Sequence, residues 1–73
     1  MKYEELGLYI RNQRMAMGKS LNEFAIDIDV DSAILSRIEN LKQDIKLTVL
    51  RKIAKGFSKQ PSEFLSEFEK FKN

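Results

Sequence analysis

Side chains that could carry out chemistry are few in this chain of 73 residues, and most of them lie near its middle. Three carboxylates occur in close succession at Asp27, Asp29 and Asp31, a grouping that could serve acid–base chemistry. They surround a short predicted turn with no evident pocket, however, and acidic residues at such turns are usually capping groups. The chain contains no Cys and no His, so it lacks a thiolate nucleophile, the commonest general base and the commonest metal ligand. We therefore predict a protein that is not an enzyme and that has no cofactor, no metal and no small-molecule ligand.

Charge is distributed unevenly, although its sum is only +2. Residues 21–40 contain one basic and five acidic side chains, whereas residues 41–60 contain six basic and one acidic. A sum of +2 does not indicate a nucleic-acid partner, because strongly basic binders carry a much larger charge. The longest apolar run is three residues, far below the ~18 residues of a membrane span. We predict a soluble, cytoplasmic protein with no membrane partner, whose other partners must be inferred from where the charges lie.

Apolar residues at helical spacing predict five helices and no strand, arranged as an all-α five-helix bundle in a single domain of residues 1–73. Ser20 and Glu23 form a capping-box pattern that begins a short second helix. Asp31 is a good N-cap for a third helix that extends to about Glu39. Because only a short turn at residues 28–30 separates these two helices, the pattern predicts a helix-turn-helix unit at about residues 21–40.

The first, fourth and fifth helices complete the predicted bundle. The first ends near Gly18, a residue suited to a left-handed cap, and the fifth begins at Pro61 and extends to about residue 71. Their apolar positions are Tyr3, Leu6, Ile10 and Met17 in the first helix, Leu47, Leu50, Ile53, Ala54 and Phe57 in the fourth, and Phe64, Leu65, Phe68 and Phe71 in the fifth.

The third helix has one apolar face and one face of small and polar side chains. At 100° per residue the second face spans about 140° and consists of Ser32, Ala33, Ser36, Arg37 and Asn40. Such a face suits the DNA major groove, where Arg reads guanine, Asn reads adenine, Ser donates or accepts, and the Ala methyl contacts thymine. The alternative is an ordinary solvated helix face, which surface helices commonly have.

From about residue 6 to residue 65 the chain resembles the Cro/CI-like (Xre-type) helix-turn-helix transcriptional regulators, and its size is similar to that of restriction-modification controller proteins. The mutual spacing of several residues carries the resemblance: Ile10, Arg11 and Arg14, then Gly18 and Ser20, then Phe24, Ala25 and Val30, then Ser36–Asn40, then Leu47, Leu50, Ile53, Ala54 and Lys55. The resemblance implies a lambda-repressor-like DNA-binding fold. In it the second helix crosses the DNA backbone and the third lies in the major groove.

The resemblance also implies roles for individual residues. It places Asp31, Ser32, Ala33 and Arg37 at the bases, Ser36 and Asn40 nearby, and Lys42, Gln43 and Lys46 close to phosphate. For the lysines the alternative is simple solvation of a loop. Arg14 and Glu39 would form a buried salt bridge between the first and third helices. The implied function is a transcriptional regulator, a repressor or an activator, that binds double-stranded DNA sequence-specifically as a small homodimer on a two-fold operator.

The chain departs from the family pattern at the motif itself. Leu21 replaces a glutamine that contacts phosphate, Asp29 replaces the glycine of the turn, and Leu41 replaces the glycine after the third helix. Asp and the neighbouring Asn40 tolerate left-handed conformations better than most residues. The acidic motif and Leu21 allow an alternative function: a protein-interaction module that keeps the fold but has lost productive DNA contact.

Four apolar residues of the fifth helix share one stripe, more than a thin core is expected to bury. We therefore expect Phe68 and Phe71 to form an isologous dimer interface, which would hold two recognition helices about 34 Å apart. The alternative is that both rings pack within the chain, on the first helix near Tyr3.

Overall fold

The computed structural model describes residues 4–72, which form five α-helices joined by short connections. The helices are α1 (Glu4–Ala16), α2 (Leu21–Ile28), α3 (Ser32–Glu39), α4 (Leu47–Gly56) and α5 (Pro61–Lys72). No strand occurs within these residues, so the predicted all-α, five-helix architecture is confirmed. Tyr3, predicted to begin the apolar stripe of the first helix, lies outside the described residues. Within the described range, no helix combines the length and the apolar character needed to cross a bilayer.

Side-chain caps begin α2 and α3, as the sequence predicts. At α2 the backbone N–H of Glu23 donates to Ser20 Oγ at 3.1 Å, and the backbone N–H of Ser20 donates to Glu23 Oε1 at 2.9 Å. At α3 the backbone N–H of Ala33 donates to Asp31 Oδ1 at 2.7 Å. These bonds satisfy N–H groups that have no partner inside a helix. The two caps therefore fix where both helices of the helix-turn-helix unit begin.

Left-handed residues end α1, α2 and α3. Gly18 has φ 71°, Asp29 has φ 56° and Leu41 has φ 63°. After α3 the backbone N–H of Lys42 donates to the Arg37 carbonyl at 2.8 Å, the bond of a Schellman-type helix end. Asn40, which tolerates the left-handed conformation better than most residues, has φ −94°. Leu41 takes that conformation instead, at a cost of about 1–2 kcal/mol for a residue with a Cβ.

The core is formed by apolar side chains from all five helices: Leu6, Tyr9, Ile10, Phe24, Ala25, Ile28, Leu35, Ile38, Leu50, Ile53, Ala54, Phe64 and Phe68. Phe68 is fully buried, and its ring centroid lies 5.4 Å from that of Tyr9. This burial corrects the assignment of Phe68 to a dimer interface, because Tyr9 supplies an aromatic surface on α1 that α5 covers. Phe71 is 58% exposed, although its ring also lies 5.1 Å from the ring of Tyr9.

Gly7 allows α1 to approach the end of α3 closely. A Cβ atom at this position would lie only 2.1 Å from the Ile38 carbonyl oxygen, a backbone atom that cannot easily move aside. Gly56 plays a similar part between α4 and α2, where a Cβ would lie 2.4 Å from Ile28 Cγ2. The position of α3 against α1 therefore depends on a residue without a side chain.

Candidate nucleic-acid interface

The third helix buries one face and presents the other to solvent. Leu35 is fully buried and Ile38 is 2% exposed, and both pack in the core between α1 and α2. On the opposite face Ala33 and Arg37 are exposed, while Ser32 and Ser36 are half-buried. The side chains around Arg37 are short, so the backbone of α3 can approach a ligand closely. The predicted division of this helix into two faces therefore holds in three dimensions.

Arg37 reaches from this face toward the loop that follows α3. Its Nε–H donates to Gln43 Oε1 at 2.8 Å. Among the residues that the structure describes, none forms an ion pair with Arg37, so its charge is not neutralised within this part of the chain. The family resemblance implies that Gln43 lies close to phosphate, and within the protein its amide oxygen accepts from Arg37.

Asn40 closes the C-terminal end of α3. Its Nδ2 donates to the Ser36 carbonyl oxygen at 2.9 Å and lies 3.3 Å from Ser36 Oγ. The same carbonyl also accepts the backbone N–H of Asn40 at 2.9 Å, so the side chain adds a second donor to it. The amide nitrogen carries two N–H donors, and a bidentate contact with adenine would need the one that does not bond the Ser36 carbonyl. In this arrangement Asn40 is a capping residue at the edge of the polar face.

Lys42 and Lys46 are exposed on the connection between α3 and α4. Among the side chains that the structure describes, no carboxylate pairs with either lysine. Lys46 is the residue before α4 and makes no side-chain capping bond. Two unpaired ammonium groups therefore follow the polar face of α3 along the chain, a composition that suits attraction to phosphate.

The aspartates at the α2–α3 turn are paired with lysines from outside the motif. Lys19 forms an ion pair with Asp27, and Lys52 Nζ lies 3.8 Å from Asp29 Oδ2 and donates to the Asp29 backbone carbonyl at 3.0 Å. Neither pair could be predicted from local spacing, because the partners are 8 and 23 residues apart. In the described part of the chain no acidic cluster is placed to hold a metal ion.

The remaining acidic groups of the motif serve as caps or as a buried partner. The hydrogen bond from the Ser20 backbone N–H, together with the one from its side chain, holds the pKa of Glu23 below its usual value. Asp31 accepts from the backbone at the start of α3. With Glu39 paired to Arg14, every acidic side chain of residues 21–40 has a structural partner.

Arg14 and Glu39 form a two-bond ion pair between α1 and α3. Arg14 Nε and Nη2 each lie 2.9 Å from a carboxylate oxygen of Glu39, and Nη1 donates to the Lys19 carbonyl at 2.8 Å. Arg14 is 9% exposed and Glu39 is 3% exposed. The hydrogen bond to Glu39 raises the pKa of Arg14, against the opposing effect of burial. The pair that the family resemblance implies is therefore present, and Arg14 is not available to a ligand.

Leu21 and the C-terminal basic residues complete the surface. Leu21 is partly buried against the core, so the side chain that replaces the family's phosphate-contacting glutamine contributes packing instead.

A shallow basic depression lies between α4 and α5, lined by Arg51, Lys55, Lys59, Gln60 and Pro61. Lys59 is bound to Glu67 at 2.5 Å, and this hydrogen bond raises its pKa. Arg51 and Lys55 pair with no carboxylate in the described residues.

Two capped helices joined at a left-handed residue, with the second presenting a small polar face, define a DNA-binding helix-turn-helix domain. A model of the helix-turn-helix family matches residues 10–64, about three quarters of the chain. The chain belongs to this family and is a DNA-binding regulator of the Cro/CI-like (Xre) type with a lambda-repressor-like helical fold. Searches of curated proteins and of solved structures give no significant match.

Proposed function

We propose that this protein is a sequence-specific transcriptional regulator that acts as a small homodimer on a two-fold operator in the cytoplasm. The observation that carries the proposal is the outward face of α3, where short side chains surround Arg37 and no carboxylate among the described side chains neutralises its charge. Arg reads guanine in the major groove, and the short neighbours let the helix backbone approach the base edges.

Three side chains would read the bases and two would supply attraction. Ser32, Ala33 and Arg37 occupy the exposed or half-buried face of α3, and Ser36 and Asn40 support its C-terminal end. Lys42 and Lys46 would contact phosphates, which fixes register without reading sequence. Occupancy of the operator would then block or recruit the polymerase.

The acidic side chains of the motif are a weaker argument against DNA binding than the sequence alone suggests. Lys19 and Lys52 pair with the two turn aspartates, and Asp31 accepts from the backbone N–H of Ala33. These contacts reduce the repulsion that isolated carboxylates would exert on phosphates. The alternative function is a protein-interaction module that has lost DNA binding. The absence of DNA binding in the following experiment would favour it.

Selection from randomised duplex DNA tests the proposal, followed by fluorescence anisotropy on the selected site across a salt series. We expect one enriched, two-fold symmetric motif and an affinity that falls as salt rises. Arg37→Ala should weaken binding to the selected site by about 1–3 kcal/mol. Arg51→Ala removes the same charge from a different surface and is the matched control. Absence of an enriched motif would refute the regulator proposal.

Dimerisation needs a separate measurement. Phe71 is the exposed aromatic residue of α5, and a large apolar side chain at the surface is typical of an interface. Sedimentation equilibrium should show a dimer at about 50 µM and a monomer for Phe71→Asp. Phe68→Asp is unsuitable because that side chain fills the core. A wild-type protein that is monomeric under these conditions would overturn the dimer.

A further inference from the structure

We propose that Gln43 is a positioning residue that holds Arg37 for recognition of a guanine, an inference that rests on the proposed function. The two side chains are joined by the 2.8 Å bond between Arg37 Nε and Gln43 Oε1. This side-chain bond distinguishes Gln43 from Lys42 and Lys46, whose side chains form no hydrogen bond with Arg37 in the described structure. Its role would be to set the geometry of the reading side chain.

The connection after α3 brings Gln43 back to the helix. Leu41 takes a left-handed conformation with φ 63°, and the backbone N–H of Lys42 donates to the Arg37 carbonyl at 2.8 Å. The chain therefore reverses within two residues of the helix end. Gln43, six positions after Arg37, is half-buried beside it. The backbone therefore brings the two side chains within hydrogen-bond distance of each other.

The bond selects which edge of the guanidinium can meet a base. A guanidinium has five N–H donors in one plane, and guanine offers the O6 and N7 acceptors to two of them. Because Nε is occupied by Gln43, the available pair is formed by the two terminal Nη groups. We infer that Arg37 approaches guanine end-on. An approach through Nε and one Nη group would require the bond to Gln43 to break.

Positioning of this kind also reduces the cost of ordering a long side chain on binding. Immobilising one such side chain lowers affinity by about 2- to 13-fold. Arg37 is already restrained in the free protein, so part of that cost is absent when DNA binds. The benefit applies only to a site where Arg37 makes its specific contact, and scrambled DNA would gain little from it.

The experiment compares Gln43→Met, which keeps the side-chain length but removes the acceptor, with Gln43→Glu, which keeps an acceptor. Affinities are measured on the selected operator, on the operator with the contacted guanine replaced, and on scrambled duplex. We expect Gln43→Met to weaken operator binding by about 3- to 10-fold, to leave scrambled duplex unchanged, and to have no further effect when Arg37→Ala is present. Gln43→Glu should keep the preference for guanine while weakening binding to all three duplexes through its charge.

A measurement without DNA separates this inference from the proposed function. The Arg37 Nε–H signal in ¹⁵N NMR should exchange slowly with water in wild type and in Gln43→Glu, and rapidly in Gln43→Met. Rapid exchange in the wild type, or equal and additive losses on operator and scrambled duplex, would overturn the positioning role while leaving the regulator intact. Failure to select any operator would refute the regulator and this inference together. Thermal unfolding of each variant checks that the fold is kept.

Discussion

Replacing Arg14 with methionine would remove the cation from the buried pair with Glu39 while keeping an unbranched side chain that fits a helix. The carboxylate of Glu39 is 3% exposed and accepts from both Nε and Nη2, so the variant leaves a buried charge without its partner. Removing one member of such a pair costs about 3–5 kcal/mol. The Lys19 carbonyl also loses its donor, which adds about 1 kcal/mol.

The expected loss is large relative to the stability of a small domain. At about 0.05–0.15 kcal/mol per residue, a chain of this length has about 4–11 kcal/mol in total. A loss of 3 kcal/mol lowers the unfolding temperature by about 12 °C or more. Arg14→Met should therefore lose a large part of the free energy of unfolding of the wild-type domain.

Urea unfolding followed by circular dichroism measures the effect, and the double variant Arg14→Met/Glu39→Leu is the matched control. Replacing both charges by apolar groups is often neutral or stabilising, so the double variant should recover most of the loss. A loss below about 1 kcal/mol for Arg14→Met, or a double variant no more stable than the single one, would refute the reasoning.

Three further predictions follow from particular backbone and capping positions. Gly7→Ala should destabilise the fold by about 2–3 kcal/mol in urea unfolding, because its Cβ would overlap the Ile38 carbonyl; Leu8→Ala on the exposed side of α1 is the control, and equal losses would contradict the close approach. Leu41→Gly should stabilise by about 0.5–1 kcal/mol by relieving the φ of 63°, whereas Leu41→Ala keeps that conformation and should give no gain. Hydrogen bonds from Ser20 hold the pKa of Glu23 below its usual value, so this stabilisation is present above the unfolded-state pKa and is lost as pH falls through the lowered folded-state pKa. Glu23→Gln should therefore show a weaker acid dependence of its unfolding temperature, and an identical dependence in both proteins would exclude the effect.

Local patterns predicted the helices and their first residues well. The capping box at Ser20 and Glu23 and the cap at Asp31 depend on contacts two or three residues apart, which the sequence displays directly. The two faces of α3 follow from helical periodicity alone, and the all-α fold class is predicted from the same periodicity. The Arg14 and Glu39 pair came from the family resemblance, since no local rule joins residues 25 positions apart.

Contacts that depend on how the helices pack could not be predicted from the sequence. Apolar spacing predicts Phe68 at a dimer interface because it cannot show that α5 covers Tyr9, and in the structure Phe68 is fully buried. The contact between Lys52 and Asp29 could not be predicted from spacing either, because it requires α4 to lie beside the α2–α3 turn. The hydrogen bond from Arg37 to Gln43 depends on the left-handed backbone conformation of Leu41. Leucine rarely adopts this conformation, so the sequence does not predict it.

The close approach at Gly7 has a consequence for how α3 meets DNA. The Ile38 carbonyl rests against the α1 backbone at Gly7, and Glu39 is held by Arg14 two turns further along α1. The C-terminal turn of α3 is thus held to α1 at two points and has little freedom to tilt. On the proposed function, any mismatch between helix and groove must be accommodated by bending or twisting of the duplex. Base pairs that no side chain touches would then influence affinity through their stiffness.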